Sequence, residues 1–556
     1  MRSDMKKIII LSIFAVFSIS CNKLDEVVYS TLTDDNAFST AENAQAAVNS
    51  IYAPLHLLYR EPMFYINDIA ADDGFKSGNC FEVLNDNANY NDNRTLVAWD
   101  HLYQIVSRAN IVIDQVPDMP DGLFRDGITK KQLLGEAYFM RAFAYYNLTD
   151  IFYRVPLVID SKVAPTAKLP LNSVKEIEYR IENDLFNAKD NLPKKYASND
   201  DAGRPTYGAA CGYLARLYMR QAGRARLNGD SAAKDYWEYA LNEVNNILAL
   251  EGVQYSLRPT VWEVFDPSSD ETLYNNELIF AVRASGKIVS GSWDLGMQFT
   301  GWQYDMGWGN MYQPLEMSWK FDKADDRYKV LQVTAYKDVY NPEKTYYAAP
   351  ESIEMTGKVN ENHTIGGKTY TEVFEMGETY TQKYKYLNTG KYIYETPNNL
   401  SLLRLSDIIL CKAEILNELN GPNMESINLI NRVRSRAFQN SEHNLGLADY
   451  ASAEELRRAI CDERLFELNL ECLRRPDLIR MGLWKDRMSE YLRTIAKKYE
   501  WQEINEGKAK GYYDGSWAAY PAPATLTDKD IRLYMPIPYR EVTLNGALAG
   551  ARDYAE

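Results

Sequence analysis

Histidine is nearly absent. The 556 residues contain four, at positions 56, 101, 363 and 443, far apart in the chain. No HExxH or CxxC accompanies them, so neither a His/Cys metal centre nor a histidine-based triad has support, and no metal or cofactor is expected. Cysteine is scarce too, at 21, 80, 211, 411, 461 and 472. Cys211, Cys411 and Cys461 fall inside helical patterns at spacings unlike those of metal sites. They read as small buried apolar residues rather than a disulfide framework. An excess of positive charge is also missing: the net charge is −15. Affinity for nucleic acid comes from neutralising phosphates with Lys and Arg, so nucleic acid is a poor partner for this chain. The same charge disfavours adhesion to anionic lipid.

Long apolar runs are missing as well. Ile8 to Ile19, twelve residues behind the basic "MKK" at 5–7, is the exception. It is too short to span a bilayer and suits a secretory signal over residues 1–20. It ends at Ser18-Ile19-Ser20-Cys21. Small residues around a cysteine resemble the lipobox of bacterial lipoproteins, in which Cys21 would be acylated. Ser18 departs from the Leu commonest there, and an ordinary cleaved signal is the alternative.

What is present is helical pattern at both ends of the chain. "TKKQ" (129–132) has the capping-box form, and Leu134, Tyr138, Ala142, Tyr145, Leu148 and Phe152 follow as one stripe. Residues 206–222 carry Ala210, Tyr213, Leu214 and Leu217 on one face, with Gly223 expected as the C′ residue. A partner helix is expected over 235–250. The pattern resumes at 401–420, closed by Gly421-Pro422, and continues at 425–437 and 452–472. Further pairs join 41–58 with 97–115 and 129–155 with 173–191. Antiparallel pairs rich in Ala and Gly look like tetratricopeptide-type units.

The middle differs. Residues 256–400 are rich in Gly, Tyr and Thr, with short β-like runs at 277–282 and 391–396. Residues 61–95 and 499–525 read as irregular. Loops of such length usually carry function. The segment 291–319 holds Trp293, Trp302, Trp308 and Trp319, with Phe299, Tyr304 and Tyr312 among five glycines. Glycine at that density opposes regular helix and strand, so the rings either plug a loop onto the core or face outward to hold a ligand.

Several segments share one likeness. "GEAYFMRAFAYYNLTDIFYRVPLV" (135–158), "HLYQIVSRANIVID" (101–114), "RPTYGAACGYLARLYM" (204–219), "LRLSDIILCKAEILNE" (403–418), "INLINRVRSRA" (427–437), "ICDERLFELNLECLRRPDLIRMG" (460–482) and "YMPIPYREVTLN" (534–545) occur in the family's order. The chain resembles the SusD/RagB family of outer-membrane nutrient-binding lipoproteins. The resemblance implies a mainly α fold, with four tetratricopeptide-like helix pairs as a platform and a loop-rich, small-β ligand-binding part. It implies a single unit over 21–556, with scaffold at about 36–255 and 401–485 and the ligand-binding part at about 256–400. It also implies a SusC-like TonB-dependent transporter as partner, a cell-surface location in the outer membrane and a lipid anchor through acylated Cys21.

Other constellations have structural readings. Glu463, Glu467 and Glu471 stand at i, i+4, i+8. Paired carboxylates can act as glycosidase acid and base. Among Arg464, Arg474 and Arg475, with Arg432, Arg434 and Arg436 in reach, they read more simply as an ion-pair network. "NDNANYNDN" (85–93) is rich in oxygen but lacks the Gly and closing Glu of an EF-hand loop. Trp99, Trp237 and Trp319 read as packing anchors.

That leaves Trp293, Trp302, Tyr304, Trp308 and Tyr312 as candidate ligand contacts, with Asp305, Asn310 and Gln303 as polar partners. Sugars present flat C–H faces that stack on rings. A stack that removes about 50 Å² of apolar surface contributes roughly 1 kcal/mol, so several rings are needed. The expected function is non-enzymatic: a lipoprotein that captures oligosaccharide and delivers it to its transporter. The alternatives are a peptide-binding member of the same family, a lipoprotein glycosidase, and a helical scaffold that binds only protein.

Overall fold

The computed structural model describes residues 38–74, 93–124, 127–164, 166–198, 201–266, 275–284, 295–301, 307–333, 399–491 and 533–548, with short stretches between 335 and 385. Its helices follow the apolar stripes. They are α1 (Ala41–Arg60), α2 (Asn93–Gln115), α3 (Lys130–Phe152), α4 (Val174–Asn191), α5 (Tyr207–Leu227), α6 (Ala233–Leu248), α7 (Leu405–Asn420), α8 (Met424–Phe438), α9 (Ala453–Leu468) and α10 (Arg474–Met481). α1 packs on α2, α3 on α4, α5 on α6 and α7 on α8, and successive pairs stack on each other. These are the four helix pairs implied by the resemblance.

Side-chain caps set several of the starts. The Thr129 hydroxyl accepts the Gln132 N–H at 3.1 Å. Gln132 turns its amide forward to Glu136 instead of back. Ser173 and Glu176 close a full capping box on α4. Ser452 accepts the Glu455 N–H, while the Glu455 carboxylate accepts from Ala451.

Three expected boundaries change. α5 runs past Gly223 to Leu227, because that glycine is needed inside the helix, where the backbone of α10 approaches. The helix expected over 452–472 stops at Leu468. Leu470 and Cys472 then take left-handed φ values of 55° and 60°. Their N–H groups donate to the buried Asp73 and Asp68 carboxylates, some 400 positions away in the chain. Glu471 therefore lies beyond the helix that carries Glu463 and Glu467. Lastly, part of 61–95 is regular: Pro62–Phe64 is helical and Tyr65–Ile69 forms a π-helical turn, with all eight residues buried.

The β content is small. β1 (Leu278–Val282) pairs antiparallel with β5 (Leu400–Arg404). β2 (Gln313–Pro314) and β3 (Gln332–Val333) flank β4 (Glu378–Thr381). β1 is the expected run at 277–282. The other expected run, at 391–396, lies outside the described residues, as do 85–92 and 499–525. One core cluster joins the helix pairs to β1, β5 and the base of the middle segment. Trp99 and Trp237 are buried within it, and Trp319 is half-buried. Cys211, Cys411, Cys461 and Cys472 are buried thiols.

The carboxylate cluster is the expected ion-pair network: Arg434 and Arg436 take part in it, and Arg327, Arg404 and Lys383 join from elsewhere in the chain. Arg327, Arg404 and Arg436 converge on Glu467. Arg327 and Arg434 hold Glu463, and Arg404 with Lys383 holds Glu471. Arg464 and Arg474 turn away, to Asp407 with Asp477 and to Asp72 respectively. Arg432 pairs with Glu251. The three guanidinium groups hold the Glu467 carboxyl well below its ordinary range in spite of its burial.

Candidate ligand-binding site

The aromatic segment folds back on itself. A short helix, Leu295–Phe299, is wholly buried. Residues 307–311 return along it: the Trp308 N–H donates to the Met297 carbonyl at 2.7 Å, and the Gly309 N–H to the Thr300 carbonyl at 2.8 Å. The Asn310 and Met311 N–H groups donate to the Gln298 carbonyl. Two glycines make this close return possible. A Cβ on Gly307 would stand 2.0 Å from the Thr300 carbonyl oxygen, and Gly309 has a φ of +56°.

The rings divide between the two roles. Phe299 is buried, in contact with Phe64 and Tyr384 at centroid distances of 5.1 Å each. Tyr312 packs in the core as well, 5.2 Å from Tyr380. Its place beneath the loop makes it a packing residue in this arrangement. Trp308 is 41% exposed, although its backbone is tied on both sides. Its ring stands on a fixed base instead of a loose loop. The Asn310 side-chain amide is half-buried and donates to Gln298 Oε1 at 2.8 Å, which orients it two residues from the tryptophan. Trp293, Trp302, Tyr304 and Asp305, with Gln303, lie outside the described residues.

One neighbour of Trp308 was not singled out in the sequence. Arg60, in the last turn of α1, places its guanidinium 5.8 Å from the Trp308 ring centroid. The next residue, Glu61, accepts from Arg94 at 2.9 Å, and the Arg94 guanidinium lies 3.8 Å over the Tyr65 ring. An exposed indole thus stands beside the Arg60 guanidinium, and the residue after Arg60 belongs to the Glu61–Arg94 pair. In sequence, Arg60 looks like an ordinary cation at a helix C-terminus, and nothing local marks it for this role.

Residues 305–553 match the SusD family, and residues 24–219 match a family described as starch-binding associating with outer membrane. The chain belongs to the SusD family. A relative, SusD-like protein P2 of Formosa agariphila, is 27% identical over 493 residues, which cover 84% of this chain and 88% of that protein. Among solved structures, a laminarin-binding SusD-like protein superposes with a TM-score of 0.63 at 19% identity, covering 91% of this chain and 98% of its own. A structure with a xylogluco-oligosaccharide gives 0.65 at 21%, covering 91% and 97%. The description matched by residues 24–219 associates the family with binding and with the outer membrane. Among its described residues, no helix is long and apolar enough to cross a membrane.

Proposed function

We propose that this SusD-family protein captures an oligosaccharide at the cell surface and passes it to a SusC-like TonB-dependent transporter. Trp308 is the ring that stacks on a sugar face. Arg60, Asn310 and Glu61 are the fixed polar groups for its hydroxyls. Trp293, Trp302, Tyr304 and Asp305, carried by the same stretch of sequence, are further ligand contacts. Tyr312 supports the loop from beneath. The observation that carries this reading is the exposure of a large ring whose backbone is immobilised by three hydrogen-bonded neighbours. A ring held this way loses little entropy on binding, so its stacking energy is kept. The related structures whose names include laminarin and xylogluco-oligosaccharide favour glycan over peptide as the ligand class.

The anchor is part of the same proposal. Acylation of Cys21 would hold the protein at the outer membrane, since each buried CH₂ contributes about 0.8 kcal/mol and more than one chain is needed. The function is tested by titrating β-glucan, xyloglucan and peptide ligands into the wild type and Trp308→Ala.

A further inference from the structure

A cavity lies in the helical scaffold. It has a volume of about 540 Å³ and opens between the C-terminal half of α3, α5, α10 and residues 533–534. That is the size of a small-molecule site. Its lining residues do not include any from the Trp308 loop.

The charges around it do not balance locally. Arg220 and Arg224 share one carboxylate, Glu178, at 3.5 and 2.5 Å. The other nearby acid, Asp150, is 3.8 Å from Arg220. Behind the wall made by Asp150, Leu533 and Trp484 sits a third cation, Arg475. It is fully buried and donates only to the backbone carbonyls of Asp150 and Leu533. Arg475 does not itself line the cavity, but with it three guanidinium groups stand around two carboxylates. Burial raises the Asp150 carboxyl above its ordinary value, and Arg220 and Arg475 act in the opposite direction. A buried cation without a counter-charge is costly, so the arrangement calls for one more anion. The other lining guanidinium groups, Arg216, Arg464 and Arg480, are matched by Asp407, Glu414 and Asp477, and Lys485 and Asp486 add one charge of each sign to the lining.

Two further features face the same space. Trp484 lines the cavity, and its indole N–H is buried with no acceptor. At the rim, Tyr153 is held at φ 66°, ψ −69°, a region costly for a residue with a side chain. Its ring lies 4.5 Å from that of Tyr534, with 31° between the planes. Strain kept in place beside a cavity, together with unmatched donors inside it, indicates a ligand.

We propose that this cavity is a second binding site, for a small organic monocarboxylate with a ring-shaped body. The carboxylate supplies the missing negative charge beside Arg220 and Arg224 and an acceptor for Trp484. The ring lies against Tyr153, Tyr534 and the apolar wall of Met219 and Leu473. The inference is independent of the oligosaccharide reading, because it uses other residues.

The test is calorimetric titration of the whole protein with glucuronate, benzoate and glucose. Glucuronate or benzoate should bind at one site per chain, and whichever binds tighter identifies an acidic sugar or an aromatic acid as the source. Glucose should not compete. Arg224→Gln should weaken binding about tenfold, since a charge-assisted pair is lost. Arg224 is partly exposed, and its fold is checked by thermal melting. Tyr153→Gly relieves the strained φ and should weaken binding while raising the melting temperature. Trp308→Ala should bind the acids as the wild type does. The proposal is overturned if neither acid binds, if glucose binds equally, or if Trp308→Ala and not Arg224→Gln removes binding.

Discussion

Gly223 of α5 lies so close to α10 that an added Cβ would stand 2.4 Å from the Arg480 carbonyl oxygen. Two effects compete at this position. Alanine within a helix is favoured over glycine by about 1 kcal/mol. A contact at that distance with rigid backbone forces the helices apart, at a cost of roughly 1–3 kcal/mol or more. The clash wins. Gly223→Ala should lower the denaturation midpoint, whereas Gly229→Ala tests the glycine preference of a φ of +68° with open space around it.

Glu467 holds Arg327, Arg404 and Arg436 together in a fully buried network. Glu467→Gln removes the charge that all three cations share. Breaking a buried pair from one side costs about 3–5 kcal/mol, because the remaining charges stay buried. The variant should unfold at clearly lower urea than the wild type. A variant as stable as the wild type would show that the other carboxylates compensate the cations: Glu277, which pairs with Arg404 and Arg436, Asp325 and Glu463, which pair with Arg327, and Glu471, which pairs with Arg404.

The buried carboxyls at the end of the π-helical turn set a pH dependence. Burial pushes Asp68 up to about 7, although it accepts the Cys472 N–H. Asp73 is also raised, by burial and then by the charge of Asp68. A carboxyl raised in the folded state keeps its proton there after the unfolded chain has lost its own near pH 3.9. The native state then binds more protons, and stability falls as pH rises from about 4 to about 7. For Asp68 this amounts to roughly 4 kcal/mol. Asp72, held near 2 by Arg474 against its burial, acts in the opposite sense at lower pH. Asp68→Asn retains an acceptor for Cys472 and should flatten the slope between pH 5 and 7 in urea titrations. An unchanged slope would exclude Asp68 as its source.

The helix pairs were legible because their stripes and caps are local: Thr129, Ser173 and Ser452 each act within four residues. What the sequence hid depends on distant parts of the chain. The stop of α9 at Leu468 is fixed by Asp68 and Asp73, which no local pattern connects to it. Arg434 and Arg436 were legible as partners of Glu463 and Glu467, but Arg327 and Arg404 come from distant segments, and Arg464 and Arg474 on α9 and α10 point to other faces. The candidate site follows the same rule. The density of rings and glycines in 291–319 marked the segment, but periodicity could not tell the buried Phe299 and Tyr312 from the exposed Trp308. Arg60 is brought there by the tertiary fold alone.

The most direct measurement is paired calorimetry on Trp308→Ala, with scanning for stability and titration with laminari- and xylogluco-oligosaccharides for binding. An exposed ring removed from a fixed base should leave the melting temperature nearly unchanged. It should weaken glycan binding about five- to tenfold, since roughly 1 kcal/mol of stacking is lost. A buried tryptophan would instead lose about 3–5 kcal/mol of stability on truncation. Unchanged glycan affinity in a variant that melts early would contradict the account, and would make Trp308 part of the plug that seals the loop.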